Sequence, residues 1–271
     1  MLADTDTLSL APGVAVQNGQ LSDDVRGAAW PLNGSGAFVL DRMGTPVGQI
    51  VREIADAFSL PPETARGDVL RFAWYLNALA LVNVEQQGPF VRRLADWILL
   101  AARLAPAGAL PVAVARRRAL DTRSVPRAVA SSLAATLSRV VAVAIVSTVV
   151  AVQFSTVVGA PQFVVPLALG VATGVGLGLH EAAHVAFLCG VPSALVIRGR
   201  RTYVLHAAVS PSRRSVVALA GPLAVAMLGV ALVLGGTALG APSLTIAGCP
   251  LAAHALALTV VGGDGRIACE L

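Results

Sequence analysis

The sequence predicts a mainly α-helical protein with four membrane-spanning helices, preceded by a small winged-helix-like α+β domain. Three observations carry this prediction. The 271 residues are 56% hydrophobic with a mean hydropathy of +0.75, which is more apolar than an ordinary soluble domain. The second half of the chain contains four apolar runs, each long enough to approach the ~30 Å hydrocarbon core of a bilayer. The region before them instead interleaves charged, polar and apolar residues, as a small folded domain does.

Residues 11–86 form the first predicted domain. Residues 14–31 alternate between apolar and polar types and turn at Asn18-Gly19, a dipeptide typical of two-residue β-hairpins. Three helix-start signals follow, and each precedes an apolar repeat of helical spacing. They lie at Ser35, at Thr45-Pro46 and at Pro61-Pro62-Glu63. A short sheet followed by three helices is the plan of a winged-helix-like domain.

The apolar pattern of this domain carries a family resemblance. It consists of Leu32-Asn33, Ala37, Val39-Leu40-Asp41, Val47, Ile50-Val51, Ile54, Phe58, Asp68-Val69, Phe72, Leu76 and Leu81-Val82. In these residues the domain resembles the peptide chaperone of pyrroloquinoline quinone biosynthesis and the related RiPP recognition elements, which bind leader peptides of ribosomally made, modified peptides. The resemblance implies that a peptide adds as a strand to the edge of the small sheet and packs against the third helix.

A generic winged-helix module for protein interaction or DNA binding is the alternative for this domain. The predicted third helix carries only two cations, Arg66 and Arg71, which is few for a helix that reads DNA. The net charge of +5 comes from arginine alone, and the arginines cluster beside apolar runs, where they act as topological anchors. We therefore expect a peptide and no nucleic acid as the partner.

Residues 87–128 are predicted to connect this domain to the membrane. Residues 90–104 set arginines against large apolar residues at helical spacing, which predicts an amphipathic helix in the membrane interface. A basic stretch follows, with Arg116-Arg117-Arg118, Arg123 and Arg127. We expect these arginines to face anionic lipid headgroups of the bilayer.

Residues 129–271 form the predicted membrane domain. Its spans are expected at residues 130–158, 163–188, 216–239 and 244–261. Five arginines lie between the second and third spans, at Arg198, Arg200, Arg201, Arg213 and Arg214. Because short cytoplasmic loops are enriched in arginine, we expect this loop and the N-terminal domain on the cytoplasmic side of the cell membrane. The last span returns Asp264 toward that same side.

The second predicted span contains the motif His180-Glu181-Ala182-Ala183-His184. Histidines four residues apart lie on one face of a helix, where both rings can bind a single Zn²⁺. The glutamate between them is then placed to act as the general base that activates water. Ionisable groups are costly inside hydrocarbon and rarely occur there without a function. The motif therefore predicts a zinc-dependent hydrolase whose active site lies in the membrane.

A catalytic zinc site usually has three protein ligands, so one more is expected. Asp264 is the preferred candidate, because it is an acidic residue near the end of a span that the topology returns to the motif. The alternatives are His206, His254 and Glu270.

Two further motifs carry a second resemblance. They are Ser210-Pro211-Ser212-Arg213-Arg214 leading into Leu219-Ala220-Gly221-Pro222-Leu223-Ala224, and Gly263-Asp264-Gly265. With the histidine motif, and in this order, they resemble the site-2 protease family of intramembrane zinc metalloproteases, which cut peptide bonds in or next to the membrane. The resemblance implies that Glu181 is the catalytic base and Asp264 the third zinc ligand. The chain departs from it at Val225 and Leu256, where family members often have asparagines that help to hold the substrate.

These observations predict a zinc metalloendopeptidase that cleaves a peptide or membrane-protein substrate recruited by its N-terminal domain, with leader-bearing ribosomal peptides as one substrate class. Two other classes stay open. A non-catalytic membrane receptor or export adaptor for precursor peptides would keep the same scaffold, and the loss of the two asparagines favours it. A divalent-metal transporter would also place histidines and acids in spans, but the sequence shows no inverted repeat or paired broken helices.

Overall fold

The computed structural model describes residues 2–87, 114–157, 164–198 and 201–258. The chain divides into two units. The first combines Met1–Ala119 with Ala194–Ala207, and the second combines Leu120–Ser193 with Ala208–Leu271. The first unit thus includes two segments that the sequence assigns elsewhere, the basic stretch before the first span and the loop after the second. The amphipathic helix expected at residues 90–104 lies outside the described residues.

Two small antiparallel sheets open the first unit. β1 (Thr7–Leu10) pairs with β5 (Val82–Glu85), and β2 (Val14–Gln17), β3 (Gln20–Asp23) and β4 (Ala28–Pro31) form a meander. Asn18 and Gly19 connect β2 to β3 with φ angles of 52° and 71°, in the left-handed region that a tight hairpin turn requires. The predicted hairpin is confirmed, and β1 and β5 are strands that the sequence analysis does not predict.

Three helices follow β4 at the predicted helix starts. α1 (Gly34–Asp41) begins after Asn33, whose side-chain oxygen accepts a hydrogen bond from the Gly36 N–H at 2.8 Å. α2 (Val47–Ala57) and α3 (Pro62–Ala78) each begin after a proline. The buried core of the unit includes Leu8, Leu21, Val47, Ile50, Val69 and Leu81. α3 ends at Ala78, and the chain then enters β5.

The basic stretch contains a strand, β6 (Ala115–Ala119), which two asparagine side chains hold in place. The Asn77 amide accepts from the Ala115 N–H at 2.9 Å and donates to the Ala115 carbonyl at 2.8 Å. The Asn83 amide makes the same pair of bonds with Arg117, at 2.8 and 3.0 Å. Each asparagine thus acts as a neighbouring strand would, because its amide offers one acceptor and one donor side by side.

A third sheet joins β6 to a distant part of the chain. β6 pairs antiparallel with β7 (Ser193–Arg198), which is followed by β8 (Arg201–His206). Arg198 donates to the Asn77 carbonyl at 3.0 Å and also to the Ala78 carbonyl, at the C-terminal end of α3. A cation is favourable there because the helix dipole leaves its C-terminal carbonyls negative. The loop after the second span is therefore part of the first unit.

Arg117 makes a buried ion pair with Asp23, the last residue of β3. Both side chains are fully buried, and two guanidinium nitrogens each lie 2.8 Å from a carboxylate oxygen. Burial by itself would raise the pKa of Asp23, but the hydrogen bonds and charge of Arg117, with smaller contributions from Arg26, outweigh it and hold the pKa below its usual value. The expectation that this arginine faces lipid headgroups is wrong, since the strand turns Arg117 inward and leaves Arg116 exposed.

The long elements of the second unit are helices. α4 (Val125–Val157), α5 (Val164–Ala186) and α6 (Pro211–Ala238) are each long and apolar enough to cross a membrane, and they correspond to the first three predicted spans. The fourth predicted span begins as α7 (Pro242–Ala252) and continues as a 3₁₀ turn over Ala253–Leu258. A fourth crossing stays a prediction, because the end of that span lies outside the described residues.

Glycines bring α4 and α5 into close contact. A Cβ atom added at Gly174 would lie 2.5 Å from the carbonyl oxygen of Val140. One added at Gly178 would lie 3.0 Å from the Cγ2 atom of the same residue. Gly170 approaches Thr148 in the same manner. These glycines recur every fourth residue of α5 and therefore form one helix-packing face, on which a larger residue would separate the helices.

Candidate metal centre

The histidine motif lies in the last two turns of α5, and the structure brings its two rings together. The Nε2 atoms of His180 and His184 are 3.0 Å apart, and the ring centroids are 4.7 Å apart. His184 is 8% exposed and Glu181 is 6% exposed. One imidazole ring of the pair and a carboxylate are thus buried on a predominantly apolar helix, and His180 is partly exposed.

A backbone carbonyl of α6 holds His184. The Nδ1 atom of this ring lies 2.5 Å from the Val217 carbonyl oxygen. A carbonyl oxygen can only accept, so Nδ1 carries the proton, and in the neutral form of the ring Nε2 presents a lone pair toward His180. Metal-binding histidines are usually oriented in this way, through the nitrogen that does not face the metal.

Gly221 makes room for the His184 ring. A Cβ atom added at Gly221 would lie 2.7 Å from Cε1 and 2.8 Å from Cδ2 of that ring, and closer still to Nε2. These distances are well inside van der Waals contact, so a larger residue would displace the ring. Gly221 follows Val217 by one helical turn. One turn of α6 therefore both orients this histidine and leaves space for it.

The two rings fit a zinc ion. Imidazole nitrogens that bind one zinc at about 2.0–2.1 Å in tetrahedral geometry lie roughly 3.3 Å apart. The observed separation of the Nε2 atoms, 3.0 Å, is close to that value. Within the described part of the chain, no group of three or more His, Cys, Asp or Glu side chains forms a complete metal site. The structure thus brings two predicted ligands together, and the third stays a prediction.

Two candidates for the third ligand, Asp264 and Glu270, lie outside the described residues. A further candidate, His206, ends β8 in the first unit, where its Nδ1 atom is 2.8 Å from a backbone carbonyl oxygen. Asp264 stays the predicted third ligand, with His206 and Glu270 as alternatives.

The last candidate, His254, contacts the motif. It lies in the 3₁₀ turn after α7, with its Nδ1 atom 3.3 Å from the Nδ1 atom of His180 and the two ring centroids 5.3 Å apart. Nδ1 is the nitrogen of His180 that does not face His184. His254 therefore meets the motif from behind His180, and does not join the two facing Nε2 atoms.

Sequence reasoning misses two features of this site, for different reasons. The Val217 carbonyl has no sequence signal, because every residue carries a carbonyl. Arg139 has a clear one, since it is the single charged residue in the first apolar run, and it interacts electrostatically with Glu181. A charged residue inside a span normally faces protein or a wet cavity, so its position alone could have marked it as a neighbour of the motif.

The departures from the second resemblance have different surroundings. Val225 is 1% exposed and packs with Ala172 and Leu251, whereas Leu256 is 68% exposed. At Val225 the chain therefore has an apolar packing contact in place of the polar group that family members often carry.

The first unit has an apolar groove between α1, α2 and α3. Its lining includes Val39, Ile54, Phe58, Val69 and Phe72. Phe58 is 43% exposed, and Tyr75, further along α3, is 58% exposed. Large apolar side chains that stay exposed around a groove are typical of a surface that binds a partner.

Comparison with known proteins bears on this first unit. A family model described as coenzyme PQQ synthesis protein D (PqqD) matches residues 18–82, from the turn after β2 to the first residue of β5. No curated protein and no solved structure matches the chain. The chain therefore has a PqqD-like peptide-chaperone domain, which indicates binding of a precursor peptide, followed by a helical region with three candidate membrane spans.

Proposed function

We propose that the protein is an intramembrane zinc-dependent endopeptidase. Its substrate is a leader-bearing ribosomal peptide, or another membrane-associated peptide, that the PqqD-like domain recruits. One observation carries the proposal. The Nε2 atoms of His180 and His184 face each other at 3.0 Å in a helix able to cross a membrane, with the buried carboxylate of Glu181 between them in sequence.

The chemistry divides between the metal and the chain. His180, His184 and the predicted Asp264 would hold the zinc ion, which supplies polarisation of the scissile carbonyl and acidifies the attacking water. Glu181 accepts the proton from that water and delivers it to the leaving amine nitrogen. Its burial strengthens these interactions, because charges act more strongly where water is excluded.

Strand pairing in the first unit supports the proposed topology. α4 and α5 lie between β6 and β7 along the chain, and these two strands are hydrogen-bonded neighbours. Two crossings return the chain to the side that it left, so both strands belong on one side of the membrane. His184 is in the last turn of α5, which leads into β7. We place the active site toward that side, and the arginines near the spans favour the cytoplasm.

Recruitment by the same chain would raise the local concentration of substrate. A binding module on a short connection gives an effective concentration of ~mM. This gain would compensate for weaker substrate holding where Val225 and Leu256 replace polar groups. The groove and the exposed rings of Phe58 and Tyr75 offer the PqqD-like domain an apolar surface for the peptide.

Substitution of the proposed base tests the chemistry. Glu181→Gln leaves both histidines in place, so the purified full-length protein should bind zinc as the wild type does. Cleavage of a leader-bearing peptide should fall by about 10²–10⁴-fold, because the proton acceptor is lost. Elemental analysis measures the zinc, and mass spectrometry of the products measures cleavage. Glu85→Gln, at an exposed position of β5, is the matched control and should cleave normally.

The same assay separates the proposal from a receptor or export adaptor. Cleavage by Glu181→Gln at the wild-type rate would contradict the protease mechanism. Wild-type protein that binds zinc and the precursor peptide but leaves every peptide bond intact would support the adaptor. The PqqD-like domain serves both functions, so cleavage, and not peptide binding, decides between them.

A further inference from the structure

We infer that His254 is a positioning residue for the zinc ligand His180, from whose Nδ1–H it accepts a hydrogen bond when the Nε2 atom of His180 binds the metal. The inference rests on the proposed zinc site and adds a residue to it. His254 comes from the 3₁₀ turn after α7, whereas the predicted ligands His180 and His184 lie on α5.

For three neutral rings, one fixed acceptor determines the proton positions in the site. The Val217 carbonyl accepts from Nδ1 of His184 at 2.5 Å, which leaves the Nε2 atom of that neutral ring with a lone pair. This lone pair accepts from Nε2–H of His180 at 3.0 Å. The Nδ1 atom of His180 then has a lone pair of its own and accepts from His254 at 3.3 Å. Without a metal ion, donation therefore runs from His254 to His180 to His184.

Metal binding by His180 must exchange the donor and the acceptor of the hydrogen bond between His254 and His180. A nitrogen that binds a metal carries no proton, so the proton of a neutral His180 ring must then be on Nδ1. His180 becomes the donor, and the Nδ1 atom of His254 must accept while its own proton is on Nε2. Both rings stay neutral and each only changes the nitrogen that carries its proton. An apolar residue at position 254 could not accept this bond.

Glycine packing holds His254 in place. A Cβ atom added at Gly176 on α5 would lie 3.0 Å from Nε2 of His254 and 2.7 Å from Cδ2 of Leu251. Gly176 thus allows the 3₁₀ turn to come close enough for the two rings to meet. It differs from Gly174 and Gly178, which contact α4. The glycines of α5 therefore serve two contacts, one with a helix and one with a ring.

The two motif histidines have the same pattern of contacts. Each has its Nε2 atom toward the other ring and a partner on its Nδ1 atom, which is the Val217 carbonyl for His184 and His254 for His180. Loss of such a partner usually lowers metal affinity by about 10–100-fold. Removing the His254 ring should therefore weaken zinc binding without abolishing it.

Two substitutions of nearly equal shape test the assignment. In His254→Asn the side-chain Oδ1 atom takes the place of Nδ1 and can accept from His180, whereas His254→Leu has similar size and branching and cannot. We expect His254→Leu to lower the zinc affinity of the detergent-solubilised full-length protein by about 10–100-fold, and His254→Asn to restore most of the loss. Competition with a chelator measures affinity, and the visible spectrum of bound Co²⁺ reports ligand geometry independently of cleavage.

The other possible results would overturn or change the role assigned to His254. Equal zinc affinity of wild type and His254→Leu would overturn the inference. So would a loss in His254→Asn as large as in His254→Leu, since packing alone would then explain it. Failure of His254→Leu to bind Co²⁺ at all, as expected for His180→Ala, would make His254 a direct ligand. Wild-type protein that binds neither metal would refute the zinc site itself, and the proposed function with it.

Discussion

The paired polar side chains that stand out in the two units are matched in different ways. In the first unit the Arg117 guanidinium meets the Asp23 carboxylate, and the Asn77 amide meets a backbone peptide group, so each of these groups faces its complement. In the second unit His180 and His184 present the same nitrogen to each other across 3.0 Å, so this pair consists of like groups. Complementary pairs are complete by themselves and hold a fold together. Like pairs need a proton or a cation between them, which is what a binding site provides.

Three glycines illustrate two uses of this residue. In the first unit Gly19 has a positive φ of 71° and serves a turn. In the second unit Gly174 and Gly221 lie within helices and leave room for a neighbour. Gly174 leaves room for the helix α4, and Gly221 for the imidazole ring of His184. In the described part of the second unit, small residues therefore shape the site as well as the packing.

Breaking the complementary pair should have the largest effect. Arg117→Met leaves the Asp23 carboxylate buried without its partner, which we expect to destabilise the first unit by about 3–5 kcal/mol. Hydrogen–deuterium exchange of β3 and β6 in the full-length protein measures this loss. Arg116→Met, which removes the exposed arginine next to it, should change exchange little. Equal effects of the two substitutions would show that the buried ion pair has no special weight.

Filling the space that Gly221 leaves beside the pair of His180 and His184 should have the next largest effect. Gly221→Ala places a Cβ atom within 2.7 Å of Cε1 of His184, so the ring and α6 must shift relative to each other, which disturbs the contact of the ring with the Val217 carbonyl. We expect zinc affinity to fall by about 100-fold, the upper end of what loss of an orienting contact costs. Gly235→Ala is the matched control on α6, because no atom lies within 4 Å of its added Cβ. Unchanged zinc affinity in Gly221→Ala would mean that His184 is not a ligand in this orientation.

Local patterns allow the sequence to predict much of both units. The Asn18-Gly19 turn, the three helix starts, three apolar helices and the histidine pair each depend on residues close in the chain. The pairing of Asp23 with Arg117 spans 94 positions, and three consecutive arginines suggest a surface stretch until strand pairing turns one inward. The role of His254 is hidden for a similar reason. The sequence offers it as one of several ligand candidates, and only the packing of the 3₁₀ turn at Gly176 brings it behind His180.

Titrating the complementary pair should have the smallest effect. Because Arg117 lowers the pKa of Asp23 from its usual value of 3.8, folding favours the charged carboxylate, and this stabilisation is present above that pH and lost as the pH falls below it. The loss should be smaller than in Arg117→Met, since a protonated Asp23 can still accept a hydrogen bond from the guanidinium. Denaturant unfolding followed by tryptophan fluorescence, compared between wild type and Asp23→Asn, isolates this carboxylate from all others. The stability difference between the two proteins should shrink between about pH 5 and about pH 3. A constant difference over that range would show that Asp23 keeps its ordinary pKa, and that its contact with Arg117 contributes shape and hydrogen bonding without a favourable charge interaction.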